Sequence, residues 1–249
     1  MMRLAVTGTD TGVGKTIVAA ALLTMLRRDG VSVGVIKPTD AEHLGGDETS
    51  DVDLLLAASG GGDALDDVGA LVRLGTPAAD GPVLEPEAGS VISLLDAAFA
   101  RVAAGRDTVI VEDPGGLLVP VAPGISFDRL ARRWNLDLLV VAADRPGLVS
   151  HLLLVARAAR EAGLRVRGVV INELYADRSG ELEASTTETL ADALPGVPIF
   201  RFPFLARPLD PSALAAAAAS AGLDALRAPV ISLPRQSPLA VSGGEEQRA

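Results

Sequence analysis

The chain has 249 residues, no Cys, a formal net charge of −10 and 49% hydrophobic residues. That is ample apolar material for a packed core and excludes an intrinsically disordered chain, while the missing Cys excludes disulfides, thiolate metal sites and a Cys nucleophile. The acidic balance, with a pI near 4.7, argues against nucleic acid or an anionic membrane as partner, so a small anionic ligand requires positive potential gathered locally.

The first apolar run, residues 4–6, is broken by Gly8 and Asp10 before a signal-peptide core can form, and no apolar stretch reaches membrane-spanning length. The expectation is a soluble, cytoplasmic protein. Strand and helix patterns then alternate. A buried strand is predicted at 4–7, then a Gly-rich turn and a helix over 16–28. A strand at 31–36 and a helix at 51–58 follow. Residues 60–90, rich in Gly, Pro and Asp, read as loops. Further on come a helix at 91–104, a strand at 108–112, a short helix at 127–134 and a strand at 136–142 that is apolar apart from Asp137. A helix at 148–162, a strand at 166–172 and a helix near 181–194 complete the alternation. The Ala-rich stretch 214–221 reads as a surface helix. Strands apolar throughout are those covered on both faces. The predicted class is therefore α/β, a doubly wound and mainly parallel sheet with helices on both faces. Residues 1–232 read as one domain, and 233–249 as a polar, frayed tail.

The strongest motif is Gly8-Thr9-Asp10-Thr11-Gly12-Val13-Gly14-Lys15-Thr16, placed after a strand and before a helix. Glycines let backbone N–H groups turn inward, and the helix N-terminus adds positive potential. Lys15 would reach the β- and γ-phosphates, and the Thr16 hydroxyl would bind Mg²⁺. This is a P-loop NTPase-like signature with five residues, rather than four, between Gly8 and Gly14. It points to ATP or GTP.

Other candidates stand at predicted strand ends. Glu112 closes the strand 108–112, where an acid faces the ligand crevice and suits Mg²⁺. Asp113 is an equal choice by pattern. Lys37, at the end of the second strand, can neutralise charge on a transferring phosphoryl group. Asp51 and Asp53 open a helix, so one is a candidate N-cap and the other a metal ligand. Asn172 ends the strand 166–172, where a side-chain amide can pair with a purine edge. His43 and His151 are the only His residues, and neither accompanies a nucleophile motif or a zinc-type cluster.

Taken in order, these motifs resemble the dethiobiotin synthetase family over about residues 3–210. The loop with its five-residue gap, Lys37-Pro38 and Ser50-Asp51 match that family's pattern. Glu112 followed by Gly115-Gly116-Leu117-Leu118-Val119-Pro120 is similar to its Glu-Gly-Ala-Gly-Gly segment. Gly147-Leu148-Val149-Ser150-His151 is similar to its Gly-x-x-Asn-His helix start, and Gly168 to Asn172 to its base-recognition strand. Pro203 falls where the family carries Ile-Pro-x-Leu. The resemblance implies carboxylation of 7,8-diaminononanoate by CO₂, phosphorylation of the carbamate by ATP, and closure to a cyclic urea. It implies that Gly8 to Thr16 hold the nucleotide, with Thr11 and Lys15 on phosphates. Thr16, Asp51 and Glu112 would share Mg²⁺, and Lys37 would stabilise the carbamate and its phosphorylation. Asn172 and Pro203 would meet the adenine, and Lys37, Thr39, Ala41, Gly115, Gly116, Leu117 and Ser150 would line the substrate region. A homodimer is implied as well.

Three departures fall in the substrate half. Thr39-Asp40-Ala41-Glu42-His43 lacks the family's hydroxyl at position 41. Asp113-Pro114 replaces Gly-Ala. Thr76-Pro77 is the nearest approach to a Ser-Pro-His-like segment. These leave open a paralogue acting on another amine. A partitioning or cell-division ATPase is a further alternative, but Asp10 stands where those proteins carry a signature Lys. Amidating ligases with a Cys-dependent glutaminase domain are excluded by the absent Cys.

Overall fold

The computed structural model describes residues 1–38, 50–68, 88–122, 124–176 and 183–228. Thr39, Ala41, the acids Asp40 and Glu42, Thr76-Pro77 and the expected tail lie outside the described residues. The central sheet has six strands in the order β2-β3-β1-β6-β7-β8. They are β1 (Met2–Gly8), β2 (Val33–Ile36), β3 (Thr108–Glu112), β6 (Asp137–Ala143), β7 (Val166–Asn172) and β8 (Ile199–Phe202). All their pairings are parallel. A small antiparallel hairpin, β4 (Pro120–Ala122) with β5 (Ile125–Ser126), stands apart.

The apolar strand runs are explained by two cores. Leu4 and Val6 of β1 point into one, and Ala5 into the other. In β6, Leu139, Val141 and Ala143 face the first core, and Leu138, Val140 and Ala142 the second. A side chain is needed on both faces, so polar alternation disappears. On the first face lie α1 (Lys15–Arg28), α2 (Asp51–Ser59) and α8 (Pro211–Ser220). On the second lie α4 (Ala88–Ala103), α5 (Phe127–Arg133), α6 (Leu148–Glu161) and α7 (Glu183–Ala193). Phe99 of α4 stacks on Trp134 at 4.5 Å between centroids, and the Trp134 indole N–H donates to Asp96 at 2.9 Å. That pair ties α4 to the end of α5.

Four expectations need correction. The stretch 60–90 is not loop throughout: α3 (Leu65–Val68) is one helical turn, and α4 already begins at Ala88. β2 starts at Val33 rather than at 31, because the Ser32 carbonyl is taken by the Asp107 and Thr108 N–H groups at the turn into β3. The strand β8 and the hairpin β4–β5 were not expected. The Ala-rich helix begins at Pro211 rather than at 214, because Asp210 caps it; it is a surface helix with Ala213, Ala216 and Ala219 exposed and with Leu214, Ala215, Ala217 and Ala218 buried against α1. Small side chains allow that close approach, which is why α1 is buried from Val18 to Leu26.

The chain moves outward from β1 to β2, returns to β3 beside β1, then crosses to β6 on the other side. The winding direction reverses at β1 and β3. The carboxyl ends of these strands open the crevice where ligands bind in such sheets.

Candidate active site

The loop after β1 folds back on itself tightly. Gly12 and Gly14 take φ of 68° and 90°, in the left-handed region open to Gly. A Cβ on Gly14 would collide with the Asn172 amide nitrogen, so the loop and β7 are in direct contact there. The Thr9 N–H donates to the Val141 carbonyl at 3.0 Å, fixing the loop to β6. Lys15 is buried and donates to the Asp10 carbonyl at 3.1 Å. The Asp10 carboxylate accepts from the Thr11 N–H at 2.8 Å and pairs with Arg145 at 2.6 Å. The Thr11 N–H foremost, then Arg145, holds the Asp10 carboxyl below its usual range.

Thr16, Lys37, Asp51 and Glu112 come together from four elements. Thr16 stands in the first turn of α1, Asp51 opens α2, Glu112 ends β3 and Lys37 follows β2. The Thr16 hydroxyl lies 2.9 Å from Asp51 Oδ2 and 2.7 Å from Glu112 Oε1. Lys37 Nζ pairs with Asp51 Oδ2 and lies 3.2 Å from Glu112 Oε1. The local reason for Asp51's position is Ser50. The Ser50 hydroxyl oxygen caps α2 by accepting from the Asp53 N–H at 3.1 Å. Neither Asp51 nor Asp53 is the N-cap, contrary to expectation, and Asp51 is left to face Thr16.

Glu112 is 1% exposed, and its Oε2 has no hydrogen-bond partner. Burial, opposed by Lys37 and the Thr16 hydroxyl, pushes its carboxyl up to about 7. A buried carboxylate oxygen without a partner is costly unless a ligand takes it. One hydroxyl and two carboxylates form the hard oxygen set that Mg²⁺ prefers, with room for waters and phosphate. The residues therefore fit the ion.

The two adjacent acids separate. Alternation along the chain sends Glu112 toward Thr16 and Lys37, and Asp113 beneath the nucleotide loop. Asp113 is fully buried; it accepts from the Thr7 hydroxyl and from the Gly115 N–H at 3.0 Å, and lies 3.7 Å from Lys15 Nζ. Burial pushes its carboxyl up, against the pull of Lys15.

Asn172 is buried, and its amide nitrogen donates to the Val13 carbonyl at 2.9 Å, so one side of it braces the loop. Pro203 follows β8 at the same edge of the sheet. Gly115, Gly116 and Leu117 line a groove of about 470 Å³ with Gly8, Thr9 and Asp10, closed on its far side by Leu154 and Ala158 of α6. Ser150 does not join them: it lines a separate recess of about 120 Å³ with Arg145 and Thr186. Sequence reasoning missed Arg145 and Leu154, for which no motif gave a signal. Leu118 and Leu154 are 61% and 63% exposed at the groove. The His151 ring packs on Gly147 at the start of α6. Among the described residues no His/Cys/Asp/Glu group of three forms a metal cluster, and no helix is long and apolar enough to cross a membrane.

Residues 2–200 match a family model described as an AAA domain, the family that contains dethiobiotin synthetase. The ATP-dependent dethiobiotin synthetase of Anaeromyxobacter dehalogenans is 38% identical over 173 residues, covering 69% of this chain and 77% of the relative. The enzyme of that name from Bacillus licheniformis is 33% identical over 196 residues, 78% and 82% of the two chains. That of Aquifex aeolicus is 29% identical over 203 residues, 81% and 89%. With the nucleotide loop and its surrounding acids in one crevice, the chain belongs to the dethiobiotin synthetase family and is an enzyme of that ligase type.

Proposed function

We propose that this enzyme converts 7,8-diaminononanoate, CO₂ and ATP to dethiobiotin, ADP and phosphate, with Mg²⁺. The observation that carries this reading is the convergence of Thr16, Lys37, Asp51 and Glu112 beside the nucleotide loop, with one buried Glu112 oxygen unspent. Thr16, Asp51 and Glu112 would hold Mg²⁺, which supplies neutralisation of the phosphate oxygens when bound.

The chemistry divides among the residues as follows. Lys15, Thr11 and the N–H groups from Gly8 to Thr16 hold the β- and γ-phosphates. One substrate amine adds to CO₂ and loses a proton, giving a carbamate. A carbamate oxygen attacks the γ-phosphorus, and the bond to ADP breaks. The second amine attacks the carbamate carbon, phosphate leaves, a proton is lost and the ring closes. Lys37 sits where charge passes from carbamate to phosphate and stabilises it there. No side chain needs to act as nucleophile, so catalysis rests on positioning and charge. The groove beside Gly115 to Leu117 would take the alkyl chain, since its walls are mainly apolar. A second copy of the chain over the exposed Leu118 and Leu154 would complete it as a homodimer. Asn172 and Pro203 would border the adenine. Cytoplasmic placement goes with these substrates.

The test is incubation of the purified chain with the diamine, bicarbonate, Mg²⁺ and ATP. Cyclic urea and ADP in equal amounts are expected by mass spectrometry. Bound ATP with no urea overturns the substrate assignment.

A further inference from the structure

We propose that Asp113 is the resident counter-ion of Lys15, a positioning residue that occupies the loop's ammonium when phosphate is absent and sets how tightly the loop takes phosphate. The proposal rests on the nucleotide reading of the loop and not on the identity of the amine. Asp113 is 0% exposed and Lys15 7% exposed, so water screens their interaction little. Asp113 Oδ1 lies 3.7 Å from Lys15 Nζ. On its other side Lys15 Nζ reaches the Asp10 carbonyl at 3.1 Å, so the ammonium stands between a loop carbonyl and a buried carboxylate.

The carboxylate cannot follow the lysine when it moves. Its Oδ2 accepts the Thr7 hydroxyl, its Oδ1 accepts the Gly115 N–H at 3.0 Å, and its own N–H donates to Val6 at 3.0 Å. Phosphate must therefore draw Lys15 against a fixed negative charge. Glu112, the neighbouring acid, faces Lys37 instead. The two lysines of the site thus meet different acids, Lys15 meeting Asp113 and Lys37 meeting Asp51 and Glu112. A buried like charge next to an anion site weakens anion binding. The same carboxylate ties Thr7, at the entry to the loop, to Gly115, at the start of the groove wall. It holds the two parts of the site in register.

The experiment is calorimetric titration of ATP and of ADP into the full chain without Mg²⁺, comparing wild type with Asp113→Asn, Asp113→Gly and Thr7→Val. Cooperative melting serves as the check on folding. Removing the charge in either Asp113 variant is expected to tighten both nucleotides roughly tenfold. Thr7→Val keeps the charge and removes only a hydrogen bond, so its affinity should stay within about twofold. Asp113→Gly removes the whole side chain, and it decides the matter if Asp113→Asn does not fold. A residue that merely braces the loop gives the opposite sign: nucleotide affinity unchanged or weaker in the folded Asp113 variants overturns the proposal. So does Thr7→Val tightening as much as they do, or a wild-type chain that binds neither nucleotide. A chain that binds ATP but makes no cyclic urea refutes the substrate assignment alone and leaves this measurement intact.

Discussion

Replacing Glu112 with Gln should make the metal-free protein more stable at alkaline pH while abolishing its use of Mg²⁺. Glu112 is buried, one of its oxygens has no partner, and burial raises its carboxyl from 4.5 to about 7. In the unfolded chain it ionises near 4.5; in the folded chain it holds its proton to about 7. Between these values the folded state binds a proton that the unfolded state has released. Stability therefore falls as pH rises through this window, and the loss is complete above it. At about 1.4 kcal/mol for each tenfold change in proton affinity, the loss amounts to roughly 3 kcal/mol. Gln carries no titrating proton and escapes it. The assay is thermal melting followed by circular dichroism, in EDTA, from pH 4.5 to pH 8.5. Relative to wild type, the Gln variant should gain roughly 6–12 °C across that range, at about 2–4 °C per kcal/mol for a chain of this size. Mg²⁺ at pH 8.5 should restore wild type and leave the variant unchanged. A stability difference that does not change with pH, or wild type gaining on the variant as pH rises, refutes the reasoning.

Lys37→Ala should lower kcat by roughly a hundredfold or more, with the affinity for ATP nearly unchanged, since Lys37 lies against Asp51 and Glu112 rather than in the nucleotide loop and is proposed to act only on the transferring group; steady-state kinetics and calorimetry separate the two effects, and unchanged turnover removes its role. Ser50→Ala deletes the cap of α2 and should cost about 1 kcal/mol in urea unfolding; a cost below a few tenths means that the cap is taken over by another group. Gly14→Ala places a Cβ against the Asn172 amide at a backbone φ of 90°. It should weaken ATP binding at least tenfold, and the same change made in an Asn172→Ala background should weaken it less; an equal loss in both backgrounds would show that backbone strain alone is responsible.

The parts of the fold legible in the sequence were those with a strong local cause. The glycines and Lys15-Thr16 mark a phosphate loop because few other structures need them at that spacing. The uniformly apolar run in β6 marks a strand covered on both faces. β8 was illegible for the converse reason: Ile199-Phe200-Arg201-Phe202 is short, and Arg201 meets Asp144, just past the end of β6, only once β7 lies between the two strands. The helix α8 was legible as a surface helix from its alanines, but the face it buries was not, since what covers that face is α1, about two hundred residues earlier in the chain. In the site, the group Thr16, Asp51 and Glu112 could be named from resemblance, but its geometry depends on Ser50 taking the cap. The parting of Glu112 and Asp113 is a matter of chain direction at a strand end, which no motif encodes. Ser150, standing where the similar helix start has Asn, faces a different recess from the glycines of the groove.

The central claim is that one crevice carries an amine, CO₂ and ATP through to a cyclic urea. Its most direct test is turnover with ¹³C-labelled bicarbonate, the diamine, Mg²⁺ and ATP, with the product analysed by mass spectrometry and carbon NMR. The account predicts a single labelled carbon, at the ureido position of dethiobiotin, formed in step with ADP and absent in the Glu112→Gln protein. ADP released without label in any cyclic urea, or a labelled urea formed equally well by that variant, would contradict it.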